Sequence, residues 1–221
     1  MRLPHFLLLP FSLVAELICT FAAFLYLKNE KSGFWRSFKW FMFFTVLLET
    51  LGYIFVLYNT SNHWLYNIYL PVEMFFKYYI LYHLCRDYFK VAYWIVPFLL
   101  LMSVLFVVES IANGFREYSV ESNSVGSLGI VAICVLYFHY FLKKDEYVDI
   151  YDHPPFWIVT GLFFFYIGST ACSLFFNYLA DIYQKQHIPV RFIIFSILNF
   201  IVYGCWAYAF LCRYRNNISY S

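Results

Sequence analysis

The sequence predicts an all-α, polytopic membrane protein with seven transmembrane helices, and composition and hydropathy pattern are the observations behind this prediction. Of the 221 residues, 63% are hydrophobic and only 13% are charged, and the mean hydropathy is +0.65. Soluble domains are closer to half apolar and a quarter charged. The apolar residues form long continuous runs and do not alternate at every second position, as the strands of a membrane barrel would. The length of the chain accommodates about seven spans of roughly 20 residues with short connections.

Seven apolar segments follow one another along the chain, and we treat residues 1–221 as a single transmembrane domain. The predicted helices cover residues 5–27, 38–58, 66–88, 91–112, 125–142, 156–180 and 190–212. The first run begins almost at Met1 and has no small-residue cleavage site, so we expect a retained helix and not a signal peptide. The fifth segment is the weakest span, because three glycines lie in or near it.

The distribution of basic residues predicts the orientation in the membrane, because cytoplasmic loops carry an excess of Lys and Arg. One side of the predicted topology holds ten of them: Lys28, Lys31, Arg36, Lys39, Arg86, Lys90, Lys143, Lys144, Arg213 and Arg215. The other side holds Arg2, Arg116, Lys185 and Arg191. We therefore expect the N-terminus outside and the C-terminus in the cytoplasm. Loss of the fifth span would reverse the orientation of everything after it.

Three identities at a fixed spacing raise the hypothesis of an internal 3+1+3 repeat. At an offset of 118 residues, Asn59 matches Asn177, Pro71 matches Pro189 and Val72 matches Val190. The pattern would pair the first three helices with the last three in the same orientation, as in parallel repeats of transporters. The alternative is that proline is simply favoured at the start of a helix.

The third predicted helix contains an acid and a base in its apolar interior. Glu73 and Lys77 are four residues apart, so a helix stacks them on one face. Charged groups in a membrane segment are costly unless they are paired or face a polar cavity. Counting depth along each helix places further polar groups in the same outer half of the membrane. The predicted ligand site is an outward-facing cavity lined by Glu49, Glu73, Lys77, Glu109, Asn177 and Arg191.

Two other interpretations of these residues stay open at the level of sequence. The charged side chains could simply cross-link the helices, and those near the interface could extend into water. In a carrier, Glu16, Glu73 and Lys77 near the middle of the membrane could form a proton relay.

Several classes of protein are excluded by missing motifs. The last predicted helix has no lysine for a retinal Schiff base, and no membrane segment has the paired histidines of a zinc hydrolase. All six cysteines fall in predicted helices or at their ends without a CxxC spacing, which argues against a disulfide framework or a zinc site. The net charge of +2 is too small and dispersed for nucleic acid binding. We expect no enzyme activity, no metal and no cofactor.

The overall layout and the stretch NIYLPVEMFFKYYILYHL resemble small seven-helix bacterial integral membrane proteins of uncharacterised function. The resemblance covers nearly the whole chain and implies a multi-pass protein of the bacterial inner membrane, with no catalytic residues carried over. We expect a receptor-like or signalling subunit that binds a small molecule and contacts a cytoplasmic protein through residues 143–155. A small transporter or proton-coupled carrier is the alternative.

Overall fold

A computed structural model describes residues 11–58, 60–114, 117–143 and 149–219; the side chains of Phe11, Phe176, Asn177 and Ser219 are also outside the description. These residues form eight α-helices and no strand. The helices are α1 (Phe11–Tyr26), α2 (Gly33–Leu57), α3 (His63–Cys85), α4 (Ala92–Asn113), α5 (Val120–Leu142), α6 (Pro154–Leu174), α7 (Phe176–Gln186) and α8 (Val190–Ser219). A short 3₁₀ turn, Ile150–Asp152, precedes α6.

Five of the described helices are long and apolar enough to cross a membrane, namely α2, α4, α5, α6 and most of α8. The described part of α1 is a shorter apolar helix, Ser12–Tyr26. With 23 residues, α3 also has sufficient length, although it does not belong to the five. The protein is therefore an all-α membrane protein.

Several helix boundaries agree with the sequence prediction to within three residues, but four segments differ by more. The predicted helix 156–180 is interrupted at Phe175, so that α6 ends at Leu174 and the amphipathic α7 begins at Phe176. The second and fifth helices begin at Gly33 and Val120 and not at residues 38 and 125. The last helix ends at Ser219 and not at residue 212. Residues 5–10 of the first predicted helix, together with Asn59 of the predicted repeat, are outside the described residues, and the repeat stays a prediction.

The helices pack into two compact units, which we call the α2–α5 bundle and the α1/α6–α8 bundle. In the α2–α5 bundle, α4 packs along α5, and α3 contacts α2, α4 and α5. The buried hydroxyl of Tyr78 on α3 donates a hydrogen bond of 2.9 Å to the carbonyl of Gly126 on α5. This polar contact fixes α3 against α5, because a buried hydroxyl without a partner would be costly.

In the α1/α6–α8 bundle, both α1 and α6 pack along α8. The rings of Tyr26 and Tyr214 lie 5.7 Å apart, and those of Trp157 and Tyr208 lie 4.8 Å apart. Asn216 near the end of α8 donates a hydrogen bond of 3.0 Å to the carbonyl of Asp152. The 3₁₀ turn before α6 is thereby attached to the last turns of α8.

Candidate functional site

A line of polar side chains runs along the contact between α2 and α3. On α3, Tyr66, Glu73 and Lys77 are separated by seven and four residues, which places them on one face of the helix. The hydroxyl of Tyr66 donates a hydrogen bond of 2.9 Å to Oε2 of Glu49 on α2. Gly52 leaves space for this contact, since a Cβ there would lie 3.0 Å from Cζ of Tyr66.

A second polar contact joins the same two helices one turn further along. The Oγ1 atom of Thr45 lies 2.7 Å from the hydroxyl of Tyr69, and Thr45 also donates to the carbonyl of Phe41 over 3.0 Å. Because Thr45 donates its proton to Phe41, the hydroxyl of Tyr69 is the donor to Thr45. Together with the Tyr66–Glu49 bond, this contact sets the register of α2 against α3.

Among the polar side chains along this contact, Lys77 and Glu73 form an ion pair. The side chain of Lys77 is 9% exposed, whereas that of Glu73 is 26% exposed, so the pair can be reached through its carboxylate. Glu49 interacts electrostatically with both members of the pair. We call Glu49, Glu73 and Lys77 the charged cluster. A carboxylate paired with an ammonium group, with a second carboxylate in electrostatic range, can bind a small molecule with a positive charge or several hydrogen-bond donors, and can also accept a proton.

Glu109 serves the fold at the start of α5. Its Oε1 atom accepts a hydrogen bond of 2.8 Å from the backbone N–H of Glu121, and its Oε2 atom accepts one of 3.0 Å from the N–H of Ser122. These N–H groups belong to the first turn of α5, which has no internal partners for them. Glu109 therefore caps α5 from the end of α4, and any contact with a ligand stays a prediction.

Asn67 is a structural residue that the sequence did not reveal. Its side chain is 1% exposed, donates a hydrogen bond of 2.6 Å to the carbonyl of Glu117, and accepts one of 3.0 Å from the N–H of Ser119. The amide thus connects α3 to the segment that precedes α5. The signal in the sequence was an amide side chain within a predicted membrane helix, ten residues before Lys77.

The other residues predicted for the site belong to the α1/α6–α8 bundle. Arg191 is exposed in the first turn of α8, with its guanidinium 5.5 Å from the ring centroid of Phe195. Glu16 lies on α1 and is 3% exposed. Asn177 lies in α7, but its side chain is outside the described part of the chain. The structure thus brings together Glu49, Glu73 and Lys77 of the predicted set, within one bundle.

The described residues contain no group of three or more His, Cys, Asp or Glu side chains that could hold a metal ion. His83 has aromatic neighbours instead, with ring centroids 4.9 Å from Phe34 and 4.6 Å from Tyr79. In the segment predicted to contact a cytoplasmic protein, residues 144–148 are outside the description. Comparisons with protein families, with functionally characterised proteins and with solved structures found no match.

Proposed function

We propose that this protein is a receptor-like or signalling subunit of the bacterial inner membrane that binds a small molecule at the charged cluster. In this proposal the chain crosses the membrane seven times, with the N-terminus outside and the C-terminus in the cytoplasm. Helices α1 and α3 then cross in addition to the five that are both long and apolar enough, and α7 lies outside the hydrocarbon core.

The observation that carries the proposal is the burial of Lys77 beside Glu73, with Glu49 in electrostatic range of both. An apolar residue stabilises a membrane helix more than a charged residue does. We therefore expect three charged residues close together chiefly where a function requires them. The partial exposure of Glu73 supports access from outside the helix pair. A ligand bound there contacts α2 and α3 together, and a change in their packing could be passed to a cytoplasmic protein through residues 143–155.

The test is a thermal-shift screen of the purified protein in detergent against small amines, amino acids and other polar metabolites. A ligand at about 100 times its dissociation constant stabilises the folded state by about 2.7 kcal/mol. We expect the shift to disappear in Glu73→Gln and to persist in Glu117→Gln, an exposed carboxylate outside the cluster. No shift with any compound, or an unchanged shift in Glu73→Gln, would count against the proposal.

A small transporter or proton-coupled carrier is the second candidate, and the burial of Glu16 on apolar α1 supports it. In this hypothesis Glu16, Glu73 and Lys77 act as the proton relay. Proteoliposomes containing the protein should then show substrate-dependent acidification that is lost in Lys77→Ala and in Glu16→Gln. A receptor binds the same compound without flux, so measuring binding and flux on one preparation separates the two functions.

A further inference from the structure

The outward face of the α2–α3 pair carries a groove on the side away from the charged cluster. Its floor is formed by Phe41 and Phe76, whose rings stack with centroids 3.9 Å apart. Its walls are formed by side chains that are all exposed, namely Trp40, Phe44, Val72 and Phe75. Its volume is about 640 Å³, within the range of roughly 300–1,000 Å³ that is usual for ligand sites.

One end of this groove is marked by a polar residue and a base. Ser37 is the only polar residue that lines the groove. Arg36 precedes it, is exposed, and lies one turn before Trp40 on α2. From Lys31 to Leu48 the chain contains no acidic residue. Glu30, directly before this stretch, is buried and accepts a hydrogen bond of 3.0 Å from the backbone N–H of Ser32. The groove is therefore apolar along its length, and Arg36 places a positive charge beside the end where α2 begins.

We propose that the α2–α3 groove binds one acyl chain of an anionic phospholipid, with Arg36 contacting the phosphate of the headgroup. The groove alone cannot select a lipid, because acyl chains are as apolar as the side chains that line it. Selection has to come from the headgroup, and a guanidinium group matches a phosphate in charge and geometry. A zwitterionic lipid has the same chains and phosphate, but its own cation reduces the attraction to Arg36.

The chain offers two matched controls for this proposal. Lys39 is also basic and lies in the same part of α2, but at roughly 100° per residue it is rotated about 150° from the centre of the groove, against about 90° for Arg36. Ile68 on α3 is exposed, as Val72 is, but does not line the groove. Arg36→Gln therefore removes one positive charge at the proposed phosphate contact, whereas Lys39→Gln removes one positive charge elsewhere on α2. Val72→Trp fills the groove, whereas Ile68→Trp adds the same bulk outside it.

The experiment uses the full chain in vesicles of equimolar phosphatidylcholine and phosphatidylglycerol, followed by extraction in mild detergent and native mass spectrometry of the retained lipid. We expect phosphatidylglycerol to be retained preferentially, and we expect Arg36→Gln to lower that preference about fivefold. Lys39→Gln and Ile68→Trp should keep it, whereas Val72→Trp should lose the bound lipid.

Three outcomes would overturn the proposal. Equal retention of both phospholipids would show a groove without headgroup selection, and equal losses in Arg36→Gln and Lys39→Gln would show a general effect of charge. A dimer that dissociates in Val72→Trp would assign the groove to a second copy of this chain. The folding of Val72→Trp is checked by its thermal unfolding, and the Arg36→Gln comparison does not depend on it.

Discussion

A charged residue in a membrane helix can serve the fold without touching a ligand, and Glu109 illustrates this at the scale of a single residue. Both of its carboxylate oxygens accept backbone N–H groups from the first turn of α5. Its negative charge also lies at the positive end of the α5 dipole, where an anion is favoured. Glu73, by contrast, is paired with a side chain on its own helix.

We predict that Glu109→Ala lowers the free energy of unfolding by about 1–2 kcal/mol, since capping contacts of this kind are typically worth that much. Glu109→Gln should lose less, because its amide oxygen can still accept one of the two N–H groups. Unfolding in mixed detergent micelles measures both values. Glu117→Gln is the control and should be neutral, because Glu117 contributes its backbone carbonyl and not its exposed side chain.

We expect removal of the Asn67 side-chain amide to lower the free energy of unfolding by more than the small size of the group suggests. Asn67→Ala leaves the carbonyl of Glu117 and the N–H of Ser119 without the partner that α3 supplies. Losing partners of buried polar groups costs about 1–3 kcal/mol. Asn123→Ala on α5 is the control, and the same unfolding measurement should show little change. If the two variants unfold alike, then Asn67 does not hold α3 to the segment before α5.

At the scale of single residues, the sequence predicted contacts within one helix better than contacts between helices. The spacing of Glu73 and Lys77 predicted a stacked pair, and the ion pair confirms it. The same spacing could not predict that Tyr66 binds Glu49, because that contact depends on the register of α2 against α3. Nor could it predict that Glu109 caps α5, because a cap from another helix requires the packing of α4 on α5.

Helix ends were predicted from hydropathy, and two of the differences have physical causes that the structure shows. Helix α5 starts at Val120 because Glu109 accepts hydrogen bonds from backbone N–H groups in its first turn. This first turn is too polar to be predicted as part of a membrane helix. The break at Phe175 lies inside an apolar run and leaves no mark in the hydropathy. The amphipathic character of α7, with Asp181 and Lys185 paired over 2.7 Å, was the signal available for a separate helix.

The contact between α6 and α8 depends on a glycine at the point where the helices are close. A Cβ on Gly161 would lie 3.1 Å from the carbonyl oxygen of Val202 and 3.2 Å from its Cα, so the backbone of α8 would have to move. Gly204 on α8 is the counterpart, since nothing lies within 4 Å of a Cβ there. Small residues at such crossings allow membrane helices to approach closely.

We predict clearly different effects on stability for the same substitution at these two glycines. Gly161→Val should destabilise the protein by about 1–3 kcal/mol through overpacking. Gly204→Val should be neutral or slightly stabilising, because valine is the better helix former and no atom opposes it. The measurement is again the free energy of unfolding in mixed micelles. Equal effects at the two positions would show that the α6–α8 contact tolerates a side chain at residue 161.

At the scale of the whole molecule, composition was sufficient to predict an all-α membrane protein, which the apolar helices confirm. The grouping of helices was not predictable in the same way. In the structure α1 packs with α8, and α2 to α5 form a separate bundle. Pairing of distant helices depends on the shapes of their faces, and mean hydropathy carries no information about these.

The number of crossings and their direction can be tested by reporters fused after truncation within successive loops. Seven crossings with the N-terminus outside predict active alkaline phosphatase after residue 61 and again after residue 117, because this enzyme needs disulfides that form only outside the cytoplasm. A fluorescent cytoplasmic reporter should be active after residue 88, after residue 149 and after residue 219. The fusions after residues 117 and 149 are the most informative pair, because α5 lies between them and they show whether it crosses the membrane. Activity of the same reporter at both positions would show that α5 does not cross, and would reverse the orientation of α6 and α8.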